Sequence, residues 1–205
     1  MHLEAIKSDS RPLFEKLSRF EGFYLAGGTA LALQIGHRIS IDFDLFSSKP
    51  LLTDLLATAE KVFSQSIAPS VNNESELTFI VAGTKVTFLY YPFPILLELV
   101  QTEFLPLLSV PEIAATKAYT VGRRASLKDY VDLYFIMNEG HSDLKQIIDL
   151  AIQKYSSAFD AKLFLEQLVY LKDVATEPIE FIKSAVISQD IELYFQTKIR
   201  ESGLI

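Results

Sequence analysis

Residues 25–46 read LAGGTALALQIGHRISIDFDLF, and this stretch decides the fold. The apolar run at 23–26 leads into it as a short buried strand. Gly27, Gly28 and Thr29 make a tight turn, residues 30–35 have helical propensity, and Gly36 stops the helix. Residues 39–46 then alternate, with Ile39, Ile41, Phe43 and Leu45 on one side and Ser40, Asp42, Asp44 and Phe46 on the other. That period of two predicts a half-buried strand. Strand, glycine turn, helix and returning strand bring the turn and both aspartates to one sheet edge.

The chemistry of this edge follows from its residue types. A glycine pair at a helix start lets backbone N–H groups approach a phosphate closely, although Gly-Gly by itself is most simply a tight turn. Asp42 and Asp44 lie two apart on a strand and share a face. Adjacent carboxylates repel each other and resist desolvation. A divalent cation removes that penalty, and Mg²⁺ accepts a few carboxylates together with substrate phosphate oxygens. An exposed acidic strand face is the plainer explanation, but Phe43, Leu45 and Phe46 set the pair beside a core.

Outward from this stretch, Ser10 is the expected N-cap of a helix with Pro12 in its first turn and Leu13, Phe14, Leu17 and Phe20 on its apolar face. Residues 49–63 predict a helix behind Pro50. Strands are expected at 77–82 and 85–91, joined by a hairpin turn at Ala82, Gly83 and Thr84. The aromatic residues Phe88, Tyr90, Tyr91 and Phe93 read as sheet and core packing. From Val110 onward only helices are expected, at about 111–122, 126–138, 143–155, 160–171 and 188–200. The fold class is therefore α+β, a mixed-sheet core with helices over residues 1–108 followed by an all-helical lobe over 109–205. Nothing linker-like separates them, so the lobe is expected to pack on the core.

Composition bounds the function. Hydrophobic residues make up 49% and charged residues 22%, which is globular. No cysteine is present, which excludes disulfides, thiolate zinc sites and a thiol nucleophile. His2, His37 and His141 are too few and too scattered for a multi-histidine metal site, and His37 and His141 read as polar surface groups. The net charge is −7, and no segment forms a basic tail, so broad DNA binding is not expected. Lys117, Arg123, Arg124 and Lys128 cluster within a short span, which is either a solvated helix face or a local basic pocket. The start, MHLEAIKSDSRP, does not read as a signal peptide, and no stretch reads as a membrane span. A cytoplasmic location is expected.

A second constellation is Lys117 followed by Arg124-Ala-Ser-Leu-Lys128-Asp129-Tyr-Val-Asp132-Leu133. Read physically, Ser126 and Asp129 make a capping-box-like pair. Lys128 and Asp132, four apart, would form a surface ion pair. Arg and Lys here also suit triphosphate recognition.

Together the two stretches resemble the nucleotidyltransferase superfamily, with its Gly-Gly/Ser, spacer and Asp-x-Asp signature. More narrowly they resemble the AbiEii/AbiGii toxin family of bacterial toxin–antitoxin and abortive-infection pairs. His37, Arg38 and Ser40 match that family's His-Arg-x-Ser, and Lys117 through Leu133 match its second motif. The resemblance covers most of residues 22–138. It implies a nucleotidyltransferase-like fold and transfer of a nucleoside monophosphate from an NTP to an acceptor, with RNA, specifically tRNA, as the acceptor for characterised toxins. It also implies a cognate antitoxin as partner.

By the same match, Asp42 and Asp44 would hold Mg²⁺ and act in catalysis. Gly27, Gly28 and Thr29 would cradle phosphate, with Arg38, Ser40, Arg124, Lys128 and Asp132 around the nucleotide. Lys117 would meet the triphosphate, and Asp129 or Asp132 would orient or activate. Many nucleotidyltransferases carry a third carboxylate on a later strand. The corresponding strand here, Lys85-Val86-Thr87-Phe88-Leu89-Tyr90, has no acid, and Thr87 or Phe88 stands at that place. Two alternatives stay open: a nucleotide-binding module acting through a protein partner, and a nucleotidyltransferase that modifies a protein or a small molecule.

Overall fold

The computed structural model describes every residue except 122, 125, 175, 176, 204 and 205. The chain divides into two compact units, Met1–Ser109 and Val110–Ile205.

The first unit is built on one five-stranded mixed sheet in the order β1-β2-β5-β4-β3. Its strands are β1 (Tyr24–Ala26), β2 (Phe43–Ser47), β3 (Pro69–Asn72), β4 (Glu76–Val81) and β5 (Thr84–Tyr90). β2 and β5 run parallel, and the other pairs are antiparallel. The β4–β5 turn has Ala82 at φ 49° and Gly83 at φ 75°. Two consecutive positive φ values are what a two-residue hairpin loop needs to match the strand twist.

Three helices belong to this unit: α1 (Arg11–Lys16), α2 (Gly27–Ile35) and α3 (Leu55–Phe63). Period-two alternation gives the sheet two chemically different faces. Phe43, Leu45, Phe79, Val86 and Phe88 are buried on one face. Aromatic pairs tie that face to the α1 and α3 side: Phe14–Phe43 at 5.7 Å, Phe20–Phe88 at 4.7 Å and Phe63–Phe79 at 6.0 Å between ring centroids. The opposite face carries Asp44, Lys85, Thr87, Thr78 and Glu76.

Local readings differ from expectation in four places. The strand expected over 39–46 begins only at Phe43, and Ile41 is 46% exposed. The preceding backbone is held elsewhere: Ser40 N–H donates to Ala5, and the Asp42 carbonyl accepts from the Thr29 hydroxyl. The helix expected over 49–63 starts at Leu55. Ser10 precedes α1 but makes no side-chain cap, because its hydroxyl pairs with that of Thr84 at 2.9 Å. His37 is fully buried rather than a surface group.

The second unit contains α4 (Val110–Thr120), α5 (Leu127–Asn138), α6 (Leu144–Tyr155), α7 (Ala161–Leu168) and α8 (Ser188–Ser202). α4 packs on α5 and α6, while α8 packs on α5, α6 and α7. Asp143 and Gln146 form a reciprocal capping box that starts α6, and Asp160 caps α7. A fully buried ion pair, Lys154 Nζ to Glu112 Oε2 at 2.6 Å, joins α6 to α4 beside the stacked rings of Tyr119 and Tyr155 at 4.1 Å.

Candidate active site

The first cluster forms where β1 turns into α2. Ala26 is extended and pairs in register with Asp44 of the antiparallel β2. Gly27 follows at φ +65°, a left-handed conformation that L side chains rarely adopt, and α2 begins at once. A Cβ on Gly27 would stand 2.9 Å from Asp44 Oδ2. The absent side chain is therefore what admits the carboxylate to the helix start, where unbonded N–H groups and the helix dipole favour negative charge.

Asp42 lies one step before the strand and is 41% exposed at its side chain. Its Oδ2 stands 4.0 Å from Lys85 Nζ. Lys85 shares a strand face with Thr87, and Thr87 is in register with Asp44. Asp42 and Asp44 therefore address the same side of the sheet. The residues fit a hard divalent cation, since both donors are half-exposed carboxylates beside a glycine bend. Among the described residues no group of three His, Cys, Asp or Glu could hold a metal alone. Substrate oxygens and water would have to complete the coordination shell.

Thr29 and Ser40 do not face solvent. They are 2% and 8% exposed, and their hydroxyls pair at 2.7 Å. With the Thr29 bond to the Asp42 carbonyl, they pin the returning chain to α2. What Thr29 can offer a phosphate is its backbone N–H at the helix start. Arg38 is 3% exposed and donates to the Ile39 carbonyl at 3.1 Å, so it belongs to the interior.

The second constellation forms an ionic cluster within the helical unit. Lys117 on α4 places Nζ 2.6 Å from Asp129 Oδ1 and 2.6 Å from Asp132 Oδ2, both on α5. All three are buried. Arg124 grips Asp129 with two bonds, Nε to Oδ2 at 2.7 Å and Nη2 to Oδ1 at 2.9 Å, while its side chain stays 61% exposed. Burial opposes ionisation of Asp129, but Lys117 and Arg124 outweigh it and hold the carboxyl below its usual range.

The expected capping box is not formed here. The Ser126 hydroxyl bonds Glu177 at 2.8 Å, and Lys128 pairs with the same Glu177 at 2.8 Å rather than with Asp132. Asp132 instead turns inward to Lys117, because a buried ammonium needs more than one acceptor.

On β5, Phe88 points to the apolar face and is fully buried, which leaves Thr87 at the place beside Asp44. Sequence reasoning passed over Lys85 and Glu76. Each lies two residues from a threonine of the same face, Lys85 from Thr87 and Glu76 from Thr78, and that parity is the signal that could have found them.

Comparison with known proteins gives a consistent assignment. The family model described as nucleotidyl transferase AbiEii toxin, type IV TA system, matches residues 12–203. An uncharacterized protein of Aquifex aeolicus is 31% identical, covering 97% of this chain and 98% of its own. MenT4, a nucleotidyltransferase toxin of Mycobacterium tuberculosis, superposes with a TM-score of 0.64 at 15% identity, over 92% of this chain and 80% of its own. A candidate nucleotidyltransferase from H. pylori superposes with a TM-score of 0.55 at 19% identity, over 98% of this chain and 95% of its own. At those identities the structural likeness speaks to fold. No helix among the described residues is long and apolar enough to cross a membrane.

Proposed function

Since this chain belongs to the AbiEii nucleotidyl transferase toxin family, we propose that it transfers a nucleoside monophosphate from an NTP to a hydroxyl of RNA, with tRNA the first acceptor to test. The approach of Asp44 Oδ2 to the Gly27 bend is the observation that carries this reading. It sets a carboxylate and a helix N-terminus at one point, where a cation and a phosphate chain can share the site.

The backbone N–H groups at Gly27, Gly28 and Thr29 donate hydrogen bonds to phosphate oxygens. Asp42 and Asp44 would hold Mg²⁺, which when bound aligns donor and acceptor and neutralises phosphoryl charge. Lys85, exposed beside Asp42, adds positive charge where the triphosphate would lie. The thrust of the Thr29–Ser40 pair is structural, since it fixes where Asp42 stands. In the helical unit, Lys117 holds both Asp129 and Asp132, and Asp129 holds Arg124. That leaves a fixed, exposed guanidinium suited to a phosphate group. An antitoxin partner and a cytoplasmic setting complete the proposal, and both rest on the family.

Incubation with α-labelled NTPs, Mg²⁺ and total RNA tests it. Label in tRNA supports the reading. Binding of nucleotide without transfer to RNA, protein or small molecules supports the second reading, a nucleotide-binding module. One observation favours that alternative: Thr87 stands beside Asp44 where a third acid would serve as base.

A further inference from the structure

The segment between α7 and α8 is tied to α5 at three points. Lys183 Nζ meets Glu139 Oε1 at 2.6 Å, just past the C-terminal end of the helix. The Phe181 and Phe135 rings are 6.3 Å apart. At the N-terminal end, Glu177 Oε1 accepts from the Ser126 hydroxyl at 2.8 Å, and Glu177 Oε2 lies 2.8 Å from Lys128 Nζ. Four extended residues reach about 13 Å, and seven helical residues rise about 10 Å. The Phe181 contact therefore keeps Glu177 within reach of the helix start.

The groups that hold Glu177 are those a phosphate would use. One carboxylate oxygen takes a hydroxyl and the other an ammonium. Ser126 stands just before α5, and its hydroxyl caps nothing in the helix. Burial opposes ionisation of Glu177, but the Lys128 ammonium, the Ser126 hydroxyl and the Lys128 backbone N–H outweigh it and hold the carboxyl below its usual range. Arg124, two residues before Ser126, adds a side chain 61% exposed. Hydroxyl, ammonium and guanidinium within five residues at a helix start suit an anion, and here the chain supplies its own. The tie is also weak enough to open. Lys128 and Glu177 are each 32% exposed at the side chain, and ion pairs in contact with water add little.

We propose that Ser126 and Lys128 form a phosphate-binding subsite which Glu177 fills as an internal stand-in, so that a phosphate group of the substrates must displace Glu177 to enter. This rests on the nucleotidyl-transfer reading above for the choice of ligand. It also explains why a lysine of the second motif faces a carboxylate from a distant segment. No covalent step is involved: one anion replaces another on the same donors.

The test reads binding without catalysis. Inorganic tripolyphosphate and deacylated tRNA are titrated separately, without NTP, into the native full-length chain and into Glu177→Gln, Lys128→Met, the double variant and Glu180→Gln. Glutamine keeps the shape of Glu177 and an acceptor for Ser126, but loses the charge. Glu180 is exposed on the same segment, so Glu180→Gln makes the same change in net charge away from the subsite. Expected is binding about fivefold tighter in Glu177→Gln for at least one ligand, the size of one weak ion pair. The double variant should lose that gain, and Lys128→Met alone should change little, because Glu177 already occupies the lysine. A gain with tripolyphosphate assigns the subsite to the nucleotide, and a gain with tRNA alone assigns it to the acceptor. No gain with either ligand, an equal gain in Glu180→Gln, or a gain that survives Lys128→Met overturns the proposal. A lower thermal midpoint in Glu177→Gln without tighter binding overturns it too, and leaves Glu177 a packing tie. Label transfer is scored apart: its absence in the native chain sinks the transfer reading, while the subsite stands or falls on binding.

Discussion

Gly27 and Asp44 are made for each other: the Asp44 carboxylate occupies the space that a side chain on Gly27 would need, 2.9 Å from where its Cβ would be. The contact joins the start of α2, just past β1, to the beginning of β2. It makes the glycine a requirement of the site as well as of the turn.

Gly27→Ala should therefore do two kinds of harm. Holding alanine at φ +65° costs about 1–2 kcal/mol. The added methyl also drives Asp44 Oδ2 away from the helix start. Mg²⁺-dependent NTP binding, followed by calorimetry, should weaken at least about tenfold, the equivalent of about 1.4 kcal/mol. Gly28→Ala is the useful contrast. Unaltered binding in Gly27→Ala would show that the contact is only a packing detail.

Asp42→Ala and Asp44→Ala are expected to abolish metal-dependent NTP binding while leaving circular dichroism and thermal midpoint close to native. Both side chains are half-exposed, so neither is part of the packed interior. Undiminished binding in both variants would remove the metal assignment.

Lys85 Nζ stands 4.0 Å from Asp42 Oδ2. A pair at that distance in water interacts by at most about 1 kcal/mol, and here both partners are solvent-screened. Lys85→Met should tighten Mn²⁺ binding in the absence of nucleotide by up to about fivefold. In its presence NTP affinity should fall, because the triphosphate loses a positive neighbour. A titration showing no change in either quantity would make Lys85 a bystander.

The ionic cluster of the helical unit should govern stability at acid pH. Asp129 ionises below its ordinary value of 3.8 in the folded chain. Its contribution is thus complete above that value and is lost as pH falls through the lower folded value. Urea midpoints of the native chain should drop steeply below about pH 4, and Asp129→Asn should flatten that drop. Asp132→Ala removes a carboxylate acceptor from the buried Lys117 and should cost about 3–5 kcal/mol at neutral pH.

Glu112 and Lys154 are both fully buried, and each is the other's ionic partner at 2.6 Å. Lys154→Met alone should cost about 3–5 kcal/mol, since it removes the ammonium opposite a buried carboxylate. Adding Glu112→Leu should recover most of that loss. A double variant no better than the single one would point to packing strain instead of an uncompensated charge.

Much of this protein could be read from its residues in order. Runs of strand-forming residues on either side of the Ala82-Gly83-Thr84 turn located β4 and β5, and three-four spacing located the helices after Val110. These signals are local, because they record which side chains must leave water within a few residues of one another. The pairing of the glycine bend with Asp-x-Asp was legible for the same reason, since strand, turn and short helix leave little freedom for the return.

Partnership across the chain was not legible. Ser126 could have capped α5, yet its hydroxyl reaches Glu177, and Lys128 follows it there. Asp132 could have met Lys128 on the surface, yet it faces Lys117 in the interior. Ile41 continues an alternating pattern but stays exposed, because sheet hydrogen bonding starts only at Phe43. Glu76 and Asp44 stand far apart in sequence and share a face only because β5 lies between their strands. Sequence by itself determined which segments fold and which of their faces are apolar, because short-range geometry and hydrophobicity suffice for that. Only the tertiary structure decided which charge meets which, because many partners are chemically equivalent and strand order and helix packing select among them.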